Sequence, residues 1–244
     1  MTFQSSAIVH EIIEQVPLSV RLFDEMGIDY CCGGDKSLTE ACRHAGVPVE
    51  LALRRLSDLD DRIGDPDITP WQEAQLSDLV RHIVQNHHEY VRREIPRLQS
   101  LLEKVNDRHG KVHIELIAMK VMFDFVADEM LNHMDKEELV LFPYFVRLEQ
   151  ASRECSLPPA APFGSVARPV ECMMRDHTKA GKEMLQIREL SKGFTLPDGA
   201  CTSFRALYDG LREFEQDLHR HVHLENNILF PRAIELERKA STLA

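Results

Sequence analysis

Two stretches of this chain place histidine and glutamate at the same spacing in the same frame. His133-Met-Asp-Lys-Glu137-Glu-Leu-Val-Leu141-Phe142-Pro143 is matched 88 positions later by His221-Val-His-Leu-Glu225-Asn-Asn-Ile-Leu229-Phe230-Pro231. Both read His-x-x-x-Glu-x-x-x-Leu-Phe-Pro without a gap. Residues four apart share a helix face, so each copy aims an imidazole and a carboxylate at one point. That pair of donors suits a transition metal, and two such pairs suggest two ions sharing bridging carboxylates. A single pair would be an ordinary surface contact contributing roughly 0.3 kcal/mol. A surface contact has no reason to be duplicated together with its apolar neighbours.

The repeat extends upstream. His88 lies 45 residues before His133 and His177 lies 44 before His221, each followed six residues later by a glutamate, Glu94 or Glu183. His87 adjoins His88, and the 89-residue register to His177 favours His88. Intervals of 44 to 45 residues fit one long bundle helix plus its connection. The pattern therefore predicts two helical hairpins, each giving one histidine from its first helix and a His/Glu pair from its second. Other metal motifs fail on spacing. Ferritin-like sites use Glu-x-x-His, and no histidine here has an acidic residue three positions before it. A His-Glu-x-x-His zinc motif fails because His88-Glu89 leads to Arg92. Glu129 and Asp217, four residues before His133 and His221, occupy matching positions and are candidates to orient the imidazoles. His82, His219 and His223 are expected off the site, and Leu141-Phe142 and Leu229-Phe230 in the core beneath it, with Pro143 and Pro231 marking a bend or late turn.

The elements that must position these residues read as all-α, a four-helix bundle preceded by a small helical domain at 1–60 and a linker at 61–71, with the bundle over 72–239. Helices are expected at about 72–106 with a kink at Pro96, 112–149, 170–190 and 202–238. Runs of alternating Val, Ile and Thr that would signal strands are missing. In the first 60 residues, Ser19 to Met26 closed by Gly27 reads as a helix. Ser37 with Glu40 reads as a capping box. Between them stands Asp29-Tyr-Cys31-Cys32-Gly-Gly34, a vicinal thiol pair before two glycines. Such a pair is either two accessible redox thiols or a turn carrying small buried side chains.

Composition excludes several classes. At 244 residues with a net charge of −11, the chain lacks the basic surface that nucleic acid wants. No stretch approaches the length of a membrane span, and the N-terminus lacks the features of a signal peptide. A cytoplasmic location is the expectation, with the six irregularly spaced cysteines as free thiols.

The His-x-x-x-Glu repeat in a helical bundle resembles hemerythrin-type di-iron proteins. Joined to Cys31-Cys32-Gly33-Gly34 in a short helical domain, it resembles the RIC (repair of iron centres) family over essentially the whole chain. The resemblance implies a non-heme di-iron cofactor, two iron ions per chain, held by His88, His133, Glu137, His177, His221 and Glu225. Glu137 and Glu225 would bridge, and each iron would take two histidines. Oxygen-carrying hemerythrins use five histidines and an aspartate in place of one glutamate. Four histidines leave more open coordination, suiting reactive chemistry or metal release. The implied function is repair of iron–sulfur clusters damaged by nitric oxide or peroxide, by donating iron, with damaged iron–sulfur proteins as partners and Cys31 and Cys32 in a redox role. The same ligands would serve a nitric oxide reductase or peroxide-consuming enzyme, or a sensor of nitric oxide or oxygen. The reading leaves room for a homodimer.

Overall fold

The computed structural model describes residues 3–16, 19–30, 34–60 and 71–243. Four short helices come first: α1 (Val9–Gln15), α2 (Ser19–Met26), α3 (Leu38–Ala45) and α4 (Val49–Asp60). Ser37 caps α3 by accepting a hydrogen bond from the Glu40 amide at 3.3 Å, one half of the expected box. Gly27 and Gly46 close α2 and α3 with φ of 65° and 69°, where a side chain would be strained. These helices enclose a small apolar core of Ile12, Phe23, Ile28, Tyr30, Leu38 and Leu56. Cys31, Cys32 and Gly33 of the thiol motif, and positions 61–70 of the expected linker, lie outside the described residues.

The remaining elements form four long rods. The first joins α5 (Leu76–Ile83) to α6 (Glu89–His109) through a π-helical turn at Val84–His88. The second joins α7 (Glu115–Lys136) to α8 (Phe142–Arg153) through a π-helical turn at Glu137–Leu141. The third is α9 (Ala167–Leu190), and the fourth joins α10 (Thr202–Leu224) to α11 (Phe230–Leu243) through Glu225–Leu229. α7 packs between α6 and α9, and α10 packs on α6 and α9. The structure differs from expectation at Pro96. α6 runs unbroken through it, because Ile95 and Leu98 are buried in the core on either side and their packing outweighs one lost backbone bond. The irregularities sit elsewhere, at the π turns, and two of them have a cause in sequence. Pro143 and Pro231 have no N–H to give the carbonyl four residues back. The helix widens instead, and the amides of Phe142 and Phe230 bond the carbonyls of Glu137 and Glu225, five residues earlier.

Two apolar cores fill the bundle. One gathers Leu98, Phe123, Met184 and Phe214 along α6, α7, α9 and α10. The other gathers Leu79, Phe145, Val170 and Phe230 along α5, α8, α9 and α11. At the seam between them, all four rods carry buried histidine or glutamate. Burying ionisable groups there is expensive unless each is paired or bound to a metal.

Candidate metal centre

His88, His133, Glu137, His177, His221 and Glu225 are all 0% exposed. Their donor atoms form two overlapping groups, His88–Glu137–His221–Glu225 and His133–Glu137–His177–Glu225, within each of which they lie no more than 4.8 Å apart. In the first group the Nε2 atoms of His88 and His221 are 3.1 Å apart; in the second, those of His133 and His177 are 2.9 Å apart. About 3 Å is the separation of two imidazoles sharing one first-row ion through bonds of roughly 2.0–2.1 Å. Each glutamate divides its two oxygens between the groups. Glu225 sets Oε1 at 2.9 Å from His221 and Oε2 at 3.0 Å from His177. Glu137 sets Oε2 at 3.5 Å from His88 and Oε1 at 3.2 Å from His133. Each group draws one histidine from each hairpin, so neither hairpin completes a position alone.

The π turns place these donors. His88 ends the first, while Glu137 and Glu225 begin the other two. The turns that follow put Phe142 and Phe230 beneath the histidines. Phe142 stacks on His88 at 5.7 Å and Phe230 on His177 at 6.2 Å, which closes the centre to water from the second core.

The outer nitrogens of the imidazoles are held from neighbouring helices. His88 Nδ1 meets Glu138 at 2.7 Å, a carboxylate that also accepts from Arg92. His177 Nδ1 meets Asn226 at 2.9 Å. His133 Nδ1 faces Asp176 at 3.6 Å, with Lys136 on the same carboxylate oxygen. Such outer partners fix the tautomer and raise ligand basicity. Sequence reasoning missed Glu138, Asp176 and Asn226. The signal for two of them was present, since Glu138 and Asn226 each follow the shared glutamate of their repeat. The candidates it did name lie one step away. Asp217 bonds His87 at 2.9 Å, and Glu129 pairs with Lys179 at 2.9 Å. His87 is buried beside the centre, stacked on His221 at 5.7 Å, with its own Nδ1 turned to Asp217. His82 packs on Trp71, and His219 and His223 pack on Tyr30.

Burial opposes charge at His133, His221 and Glu225, yet their mutual contacts favour it. Glu137, Asp176 and Glu225 outweigh burial at His133 and keep its imidazole well above the ordinary range. Burial likewise opposes protonation of His221, and Glu225 reverses it. Against its own burial, Glu225 is held well below the carboxylate range by His221, with His133 and His177. A cation entering the centre competes with protons held at His133 and His221. Both oxygens of Glu137 and Oε2 of Glu225 still lack a hydrogen-bond partner. Buried carboxylate oxygens left short of hydrogen bonds, facing four imidazole nitrogens, are what a pair of cations would satisfy. The nitrogen and oxygen donor set, free of thiolate, suits iron.

Comparison with known proteins gives two family matches. Residues 79–233 match the hemerythrin HHE cation binding domain, and residues 5–60 match a domain of unknown function, ScdA_N. The chain is 33% identical over 228 residues to a protein of Dickeya chrysanthemi (strain Ech1591) named iron-sulfur cluster repair protein YtfE, covering 93% of this chain and 96% of that one. It is 32% identical over 223 residues to the protein of the same name from Yersinia pseudotuberculosis serotype IB (strain PB1/+), covering 91% and 94%. It is 31% identical over 224 residues to the probable iron-sulfur cluster repair protein of Haemophilus influenzae, covering 92% and 95%.

Proposed function

The chain belongs to the hemerythrin HHE family and, over nearly its full length, to the iron–sulfur cluster repair proteins, and from that premise we propose that it restores damaged iron–sulfur clusters by donating iron. Two iron ions would be held, one by His88 and His221, the other by His133 and His177, with Glu137 and Glu225 shared between them. The observation that carries the reading is the division of each buried glutamate between two histidine pairs. Iron in such a site supplies a store that can exchange with a damaged cluster and react with nitric oxide or oxygen species.

The chain's own residues act by holding and releasing. Four imidazoles and two shared carboxylates are few donors for two ions, which favours delivery over permanent retention. Protons carried by His133 and His221 in the metal-free protein would take the place of departing cations, keeping Glu137 and Glu225 compensated. Phe142 and Phe230 exclude water from the floor of the site. Cys31 and Cys32 are proposed to act in redox chemistry beside the centre. Support comes from Tyr30, the residue before them, whose ring packs on His223 at 5.7 Å, two positions from Glu225.

The test is metal content and repair together. Protein purified without added metal or chelator should carry about two irons per chain, and His133→Ala or His221→Ala should lower that number. Glu137→Gln should abolish restoration of a nitric oxide-damaged [4Fe–4S] enzyme while helical content is retained. Zinc or no metal in a folded protein would overturn the di-iron assignment, and unchanged repair by Glu137→Gln would overturn the function. Repair that continues over many turnovers with an added reductant, without loss of bound iron, would favour a reductase over a donor.

A further inference from the structure

The two halves of the centre are not equivalent, and the repeat itself shows where they diverge. Aligning His88 with His177 places His87 opposite Asp176, and aligning Glu137 with Glu225 places Glu138 opposite Asn226. The second difference is mild, because both side chains present an oxygen to a ligand imidazole, at 2.7 and 2.9 Å. The first is not. Asp176 turns a carboxylate toward His133 Nδ1. His87, at the matching place, lies flat on the His221 ring with an interplanar angle of 10° and spends its own nitrogen on Asp217. His221 Nδ1 is left buried with no hydrogen-bond partner among the described residues. His133 Nδ1 also falls short of a hydrogen bond, but a carboxylate stands 3.6 Å from it.

An imidazole with an outer acceptor is fixed in tautomer and orientation and is the better donor; loss of such a partner typically weakens metal binding about 10–100-fold. His221 is the one ligand imidazole here with no acceptor in place. On the acceptor of its partner, His88, Arg92 competes for the same Glu138 oxygen. We propose that the two metal positions are unequal and that the ion between His88 and His221 is the labile one, released first and donated. Asp176 is then the positioning residue that retains the ion between His133 and His177. The inference rests on two ions occupying the positions named above, but the inequality itself does not depend on cluster repair.

Metal-free protein titrated with Co(II), followed by its visible absorption, tests the inequality alone. Two binding steps separated at least about 10-fold are expected. Iron-loaded protein challenged with a ferrous chelator should release one equivalent about 10-fold or more faster than the second. His87→Asn puts an acceptor at the place matching Asp176 while its amide N–H can still donate to Asp217, and should slow the fast phase. Asp176→Asn, a change at a side chain partly open to water, should speed the slow phase toward the fast one. Two equal Co(II) steps, a single release phase of two equivalents, or acceleration of the fast phase alone by Asp176→Asn would overturn the proposal. Two unequal steps in a protein without repair activity would leave the inequality standing and remove only the donor reading.

Discussion

Glu94 is a carboxylate almost wholly inside the bundle, held by Arg97 at 2.5 Å and Arg93 at 3.2 Å. It lies six residues beyond His88, at the place where the repeat suggested a matching Glu183, but it serves the scaffold and not the metal centre. Burial alone would raise it, and the two guanidiniums reverse that, leaving it below the ordinary value of 4.5. A carboxyl lowered on folding contributes stability above its unfolded value and loses that contribution as pH falls through its folded one. Glu94→Gln is therefore expected to destabilise the protein by about 2 kcal/mol at pH 7 and by much less near pH 3. Urea midpoints at the two pH values check it. Equal losses at both would show that the ion pairs with Arg93 and Arg97 contribute nothing.

Among the elements, α10 packs on α6 with Gly210 facing Arg97 and Leu98. A Cβ at that position would lie 2.7 Å from Leu98 Cδ2 and 2.7 Å from Arg97 Nη2. The arginine end can move, but Leu98 is fully buried and cannot. Gly210→Ala gains about 1 kcal/mol of helix propensity against an overpacking cost of about 1–3 kcal/mol. With Leu98 fixed the cost prevails, so the melting temperature should fall by about 2–4 °C; a rise would show that the helices can separate freely there. Such contacts mark the boundary of what sequence discloses. The His-x-x-x-Glu repeats and their Leu-Phe-Pro frames were legible because the information lies within one turn of one helix. The choice of His88 over His87 was legible from a long-range register together with the family resemblance. Glu138, Asp176 and Asn226 were not, since each touches an imidazole on a different helix and their meaning depends on how the rods rotate. The π turns were half legible: Pro143 and Pro231 announced an irregularity, but a missing N–H does not say whether a helix bends or widens. The turn at Val84–His88 contains no proline, so nothing in its residues announced it. Pro96, which did announce one, was overruled by core packing on both sides.

At the scale of the whole molecule, the N-terminal helices are fastened to the bundle one residue from His221 of the candidate metal centre. Arg220, next to His221, reaches Asp24 of α2 at 2.5 Å, and Tyr30 donates its hydroxyl to the same carboxylate at 3.0 Å. Gln216 donates to the Asp24 carbonyl at 3.3 Å, and Tyr30 lays its ring against His219 and His223. The contact is lopsided: the Asp24 side chain is 3% exposed and that of Arg220 is 47% exposed. Burial pushes the Asp24 carboxyl above its usual value, with Arg220 and Tyr30 pulling it back. Removing the guanidinium strands a carboxylate that water cannot reach while the domain stays docked. Removing the carboxylate only returns a half-exposed guanidinium to solvent. Arg220→Ala should therefore weaken docking by about 2 kcal/mol, less than the roughly 3–5 of a fully buried pair because Arg220 is already half in water. Asp24→Asn should cost about 1 kcal/mol or less, its amide keeping an acceptor for Tyr30. Undocking rehydrates Asp24, so the strain is relieved by separation of the domain without unfolding of the bundle. In small-angle scattering, Arg220→Ala should show a larger radius of gyration than the parent and than Asp24→Asn, with unchanged helical content. The double variant should return toward the Asp24→Asn value, because it no longer holds an unpaired buried charge. Identical scattering from all four proteins, or a larger effect from Asp24→Asn than from Arg220→Ala, would show that the apolar ring contacts of Tyr30, and not the ion pair, hold the thiol-bearing domain beside the centre.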